Sequence, residues 1–155
     1  MKLDGGPLFT QFSHFIDLLY WIFGEININH AQFENFNHKH STQFEDSGIV
    51  TFSINSGGVG SINYSTSVFD KNFESSISII GEKGTVKLGG QYMNEISYCH
   101  IEDYVMPSLE KSNPPNNYGN YQGSASNHPY VIQNVIETLN NKSKPHTQLS
   151  EGMAV

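Results

Sequence analysis

The stretch GGPLFTQFSHFIDLLYWIFG, residues 5–24, decides how the rest of this 155-residue chain is read. It holds the most persistent apolar run in the sequence and carries two ionisable residues set three apart, His14 and Asp17. At helical spacing both project from one side of a single turn. Gly5-Gly6-Pro7 is turn material that leads into a first helical turn, and Gly24 suits the left-handed backbone just past a helix end, so the spacing predicts one helix across the run. Phe12, Phe15, Ile16, Leu18, Leu19, Ile22 and Phe23 are apolar nearly all round, and such a helix is expected to be buried on most of its faces. His14 and Asp17 are then either an internal pair that pins the helix or groups aimed into a cleft. In the second case His14 serves as a general acid or base near neutral pH, and Asp17 orients it or anchors the helix.

Composition narrows what surrounds that helix. A chain of this length fits one domain, residues 1–155, and buries roughly 70% of the surface its unfolded form exposes. The net charge of −7 comes from fifteen acids against eight bases, and every base is a lysine. Without arginine, neither a nucleic-acid surface nor a guanidinium clamp for phosphate is expected from this segment. The single cysteine, Cys99, excludes an internal disulfide and gives no zinc pattern, which points to a reducing, cytoplasmic setting. MKLDGG at the start is not a signal peptide, since no apolar region follows the lysine before the turn. Thr10, Gln11, Ser13, His14 and Asp17 put too many polar groups in the first run for a membrane span.

Outward from Gly24 the periodicity changes from helical to alternating. Ile26, Ile28 and His30 share one phase and Phe33, Asn35 and Asn37 another, which predicts a strand over 26–37 with an irregularity inside it. Residues 47–54 (SGIVTFSI), a turn at Asn55-Ser56-Gly57-Gly58, and residues 59–68 read as a hairpin. Residues 74–80 and 85–88 around Gly81-Glu82-Lys83-Gly84 read as a second hairpin, and residues 92–100 as one more strand. About six strands joined by short turns imply an open, mainly antiparallel sheet with helices on one face, an α+β fold. Several alternations set Ser and Thr opposite the apolar positions, and the more open sheet face is expected to be a surface between copies of the chain.

From 103 to 126 the pattern lapses into a loop rich in Pro, Gly and Asn. Its Tyr104, Tyr118, Tyr121, Gln122, Ser124 and Ser126, followed by Asn127, are able to hydrogen-bond a polar ligand or simply form turns. A helix is predicted over 128–141, with Asn127 as N-cap, Pro129 in the first turn, and Val131, Ile132, Val135, Ile136 and Leu139 as its buried stripe. Ser150 is expected to cap a last helix that stops within two turns, so the end reads as cut. No phosphate-cradling glycine loop, nucleophile elbow, HExxH helix or CxxC pair occurs. His38 and His40, beside Lys39 in a polar connection, read as a solvated surface rather than a metal site.

The residues together resemble a known family. His14, Asp17, Leu18, Trp21 and Gly24 form an H-x-x-D-L-x-x-W-x-x-G segment similar to the helix that opens the C-terminal domain of the Gfo/Idh/MocA oxidoreductases, the glucose-fructose oxidoreductase and inositol dehydrogenase family. The resemblance extends through GSINYSTSV, IIGEKGTV and the closing SEGMAV, and so over essentially the whole chain. FTQFSHFID and NYQGSASNH look most like the nucleotide-sugar branch, which oxidises UDP-N-acetyl-2-amino-2-deoxyglucuronate-type sugars.

The resemblance implies a glyceraldehyde-3-phosphate-dehydrogenase-like C-terminal fold, paired in the parent enzyme with an N-terminal Rossmann domain that binds NAD or NADP and supplies a catalytic lysine. It implies His14 as the acid/base in hydride transfer from a sugar secondary alcohol, and Thr10, Gln11, Asp17, Tyr121, Ser124, Asn127 and His128 as substrate contacts. Two departures stand out: Thr10 occupies the position where many members carry a carboxylate four residues before the histidine, and the Rossmann half is absent from these residues. With no cofactor domain, the segment by itself is expected to bind no NAD(P) and to catalyse nothing. The alternative is a stand-alone, non-catalytic module that assembles through its sheet or binds a ligand.

Overall fold

The structure, a computed structural model, describes residues 5–119, 122–153 and 155. The chain forms two compact units, one of Met1–Phe69 with Thr147–Val155 and one of Asp70–His146.

In the first unit the expected single helix is two, α1 (Gly6–Thr10) and α2 (Ser13–Phe23). Gly5 and Gly6 take positive φ, 72° and 83°, and Pro7 follows in the first turn, so the start is the predicted one. The break at Gln11 and Phe12 has a local cause. The Thr10 hydroxyl donates to the Gly6 carbonyl at 2.9 Å, a back-bond that bends helices, and both Gln11 and Phe12 N–H close onto Pro7 O. The expectation of a helix buried on most faces also fails: Leu19 is buried, whereas Trp21 is 78% and Phe9 71% exposed. The helices meet the sheet through Phe12, whose ring lies 4.7 Å from that of Tyr64, and this narrow contact leaves the opposite faces open.

The sheet of this unit is β1 (Ile26–Glu34), β2 (Ser47–Ile54) and β3 (Val59–Ser65), antiparallel in that order. The expected irregularity in β1 is present but falls before His30 rather than after it, as a register shift between Ile28 and His30 that takes His30 out of the phase of Ile28. It keeps apolar residues on one face: Ile28 opposes Phe52 before the shift, and Ala31 opposes Val50 after it. Val50, Phe52 and Tyr64 are buried on that face, while Ile49 is half exposed on the other among Ser47, Thr51, Ser61 and Asn63. A short helix, α4 (Leu149–Gly152), also belongs to this unit. Its cap is Gln148 rather than the expected Ser150, because Glu151 reaches back to accept the Gln148 N–H at 2.6 Å.

The second unit holds a sheet of β4 (Ile77–Gly81), β5 (Gly84–Gly89) and β6 (Glu95–Ile101), again antiparallel. The six expected strands are therefore present as two open sheets of three. The stretch read as a continuous loop contains a ribbon, β7 (Pro115–Asn117) with β8 (Gln122–Ala125), too short to show an alternation. The predicted helix follows as α3 (His128–Leu139). Asn127 does not cap it by side chain, since its Oδ1 accepts from Asn113 Nδ2 at 3.2 Å instead. Nor is its apolar stripe buried: Val131, Ile132, Val135, Ile136 and Leu139 are all exposed. The buried residue is Asn134, which donates to Ser143 Oγ and Lys144 O and accepts from the His146 N–H at 2.9 Å. These bonds tie the helix to the following turn by its polar side.

Candidate active site

Four of the predicted residues come together at the α1–α2 joint. Thr10 ends α1, Gln11 lies in the break, and His14 and Asp17 occupy the first turns of α2, all four exposed. His14 and Asp17 do not form the internal pair that their spacing allows; among the described residues neither has an ion pair. The imidazole rests instead on Phe15, with ring centroids 4.2 Å apart. Partial burial against this apolar neighbour pushes its pKa below the ordinary 6.5. A neutral ring at pH 7 with an open nitrogen can accept a proton, the requirement for a general base.

The other predicted group belongs to the second unit. His128 opens α3 and is exposed, Asn127 is held by Asn113, and Ser124 contributes backbone to β8. Tyr121 lies outside the described residues.

Sequence reasoning missed three residues in the first unit. His38 is not simply a solvated surface residue, because its Nδ1 lies 3.0 Å from the Oδ2 of Asp46, a carboxylate only 1% exposed. Asp46 also accepts the backbone N–H groups of Phe36, Asn37 and His38 and the Ser47 hydroxyl. Burial alone would raise its pKa, but the Asn37 and Phe36 amides and the His38 ring hold it far below the usual carboxylate range. Asp46 is an anchor for the β1–β2 connection, buried and hydrogen-bonded within the protein. Beside it, Glu45 accepts the Tyr64 hydroxyl at 3.2 Å and the Leu8 N–H at 3.4 Å under α1. The one available signal was Gly48 inside a β-rich run, since an interior strand glycine marks a close approach. Among the described residues no cluster of His, Cys, Asp and Glu could hold a metal ion.

A dinucleotide site needs a parallel strand, a glycine loop and a helix N-terminus facing the pyrophosphate. All strand pairings among the described residues are antiparallel; Gly57-Gly58 and Gly89-Gly90 lie in or beside hairpin turns, and Gly5-Gly6 opens α1 with no described strand before it. No described helix is long and apolar enough to cross a membrane.

The family model described as "Oxidoreductase family, C-terminal alpha/beta domain" matches residues 1–155. Among solved structures, the WlbA dehydrogenase from Bordetella pertussis, in complex with NADH and UDP-GlcNAcA, is 31% identical with a TM-score of 0.74 over 96% of this chain and 39% of its own. The WlbA dehydrogenase from Chromobacterium violaceum, in complex with the same two molecules, is 30% identical with a TM-score of 0.72 over 96% of this chain and 40% of its own. An NAD-binding protein from Listeria innocua shares the fold at 19% identity and a TM-score of 0.53, over 95% of this chain and 45% of its own. The chain thus spans about two fifths of the length of the two WlbA dehydrogenases. No curated protein matches it.

Proposed function

The chain belongs to the Gfo/Idh/MocA oxidoreductase family, as its C-terminal α/β domain, and from that premise we propose that it is the substrate half of an enzyme that oxidises a secondary alcohol of a nucleotide sugar. The observation that carries the proposal is the likeness, at about three residues in ten and across nearly the whole chain, to two dehydrogenases held with NADH and a UDP-sugar. NAD or NADP is held by residues outside this chain, in a Rossmann domain of the complete enzyme.

His14 takes the proton of the sugar hydroxyl as the carbinol carbon is oxidised. Its exposure, its freedom from Asp17 and its lowered pKa all support a base that is neutral at working pH. Thr10, Gln11 and Asp17 on the same joint contact the sugar, and the family resemblance supports Tyr121, Ser124, Asn127 and His128 as further substrate contacts. Residues 1–155 work as one substrate-binding domain of a cytoplasmic enzyme. The polar outer face of the β1–β3 sheet carries Ser47, Thr51, Ser61 and Asn63 and supports assembly of copies through that face.

In the complete enzyme, His14→Asn is expected to lower kcat by about 10²- to 10⁴-fold while cofactor affinity stays within about twofold. Steady-state kinetics with a UDP-sugar, and cofactor titration followed by fluorescence, measure both. Retention of full turnover would remove His14 from the reaction.

A further inference from the structure

The α1–α2 joint stands on residues to which no role has been given. Tyr64 is buried, with 7% of its surface exposed, and its hydroxyl donates to Glu45 Oε1 at 3.2 Å. The same oxygen accepts the Leu8 N–H at 3.4 Å, so one carboxylate joins strand β3 to the first turn of α1. The approach is tight: a Cβ on Gly6 would lie 2.8 Å from Glu45 Oε1. Tyr64 is wedged from the sheet side as well. It opposes Gly48 in register, and a Cβ there would come within 2.5 Å of the Tyr64 ring and 2.7 Å of Phe33. On its other side Tyr64 meets Phe12, at the break between the helices, at 4.7 Å. Phe12 lies 6.1 Å from Phe15, and Phe15 carries the imidazole of His14 at 4.2 Å.

From this path of contacts we infer that Glu45 and Tyr64 are positioning residues for His14. They fix the angle at which α2 leaves the helix break, and with it the place of the imidazole. The inference rests on the reading of His14 as the acid/base. Tyr64 is not a proton donor in its own right, because burial and the Glu45 carboxylate push its phenol above its ordinary range and keep it a hydroxyl at working pH. The ionisable groups at the joint are then His14 and Asp17 on α2 and Glu45 beneath α1. A misplacement of about 1 Å at a reacting group costs up to about 10²-fold in rate, so a loosened Phe12 support is readable in turnover.

The test uses the complete enzyme with Tyr64→Phe, which keeps the ring and loses the hydroxyl, and Glu45→Gln, which keeps the shape and loses the charge. Each is expected to lower kcat about three- to thirtyfold with the sugar KM within about twofold. The acid limb of kcat is expected to move up toward the ordinary imidazole value of 6.5 as His14 gains water. The pair is expected to be non-additive, and neither change is expected to lower the residual rate of His14→Asn further. Wild-type kcat and pH profile in Tyr64→Phe and Glu45→Gln, with His14→Asn impaired, would overturn the positioning role and leave the His14 reading intact. An equal fold loss on the His14→Asn background would also overturn it, marking a general structural role. Full turnover in His14→Asn alone would overturn the underlying reading, and this inference with it.

Discussion

Two histidines in the first unit, each with a carboxylate near it in sequence, have opposite fates. His38, in the connection between β1 and β2, points its Nδ1 at a buried Asp46 that also gathers three backbone amides and a hydroxyl. His14, on the first turn of α2, lies three residues from Asp17 and pairs with nothing charged among the described residues. A carboxylate whose acceptor sites are filled by the protein is spent on structure, whereas an imidazole left with an aromatic shelf and open nitrogens remains able to act on a ligand. Nearness in sequence predicted the wrong pair. The seven residues between His38 and Asp46 form a loop that closes on the carboxylate, while His14 and Asp17, one turn apart on α2, form no ion pair.

The sharpest way to break this contrast is to exchange the expected effects. Asp46→Ala strands three amides without an acceptor and is expected to destabilise the fold by about 3–5 kcal/mol in a urea or thermal melt. His14→Asn, which lowers turnover, is expected to move stability by less than about 0.5 kcal/mol. A stable Asp46→Ala protein would show that the loop does not depend on its carboxylate.

Acid is the next probe. Asp46 has a folded pKa held far below the ordinary 3.8, so its contribution is complete above about that value and is lost progressively as pH falls from there toward the folded value. Urea midpoints are expected to drop as pH falls from about 5 to about 2, and Asp46→Asn is expected to flatten that part of the dependence. An equally steep loss in the variant would place the acid sensitivity elsewhere.

Gly48→Ala would drive a methyl into the Tyr64 and Phe33 rings and is expected to cost about 1–3 kcal/mol by overpacking, measured by the same melts. The smallest effect expected is that of His38→Ala, about 1 kcal/mol, because Asp46 keeps its backbone donors and the His38 side chain is 42% exposed. A loss as large as that of Asp46→Ala would make the ring, rather than the amides, the main support of the carboxylate.

Much of the fold was legible because it rests on local rules. The run SGIVTFSI forms β2 over the residues its alternation gives, β1 carries the irregularity that its change of phase predicts, though before His30 rather than after it, and Gly5 and Gly6 take the positive φ that the turn before the first helix requires. The site was legible only in part. His14 stands out by residue type and spacing, but Tyr64 reads as one more strand aromatic until Gly48 is placed opposite it.

The sequence by itself determined the six longer strands, the helix that starts at His128, the absence of arginine and the motif that identifies the family, since these follow from residue identity and short-range geometry. Tertiary structure alone decided which histidine is tied down, which helix faces stay open and how six strands divide into two sheets. The physical reason is plain at Asp46: three of its partners are backbone N–H groups eight to ten residues away, and every residue but proline carries one. Such a contact leaves no mark in the residue types, and only the folded chain brings its two sides together.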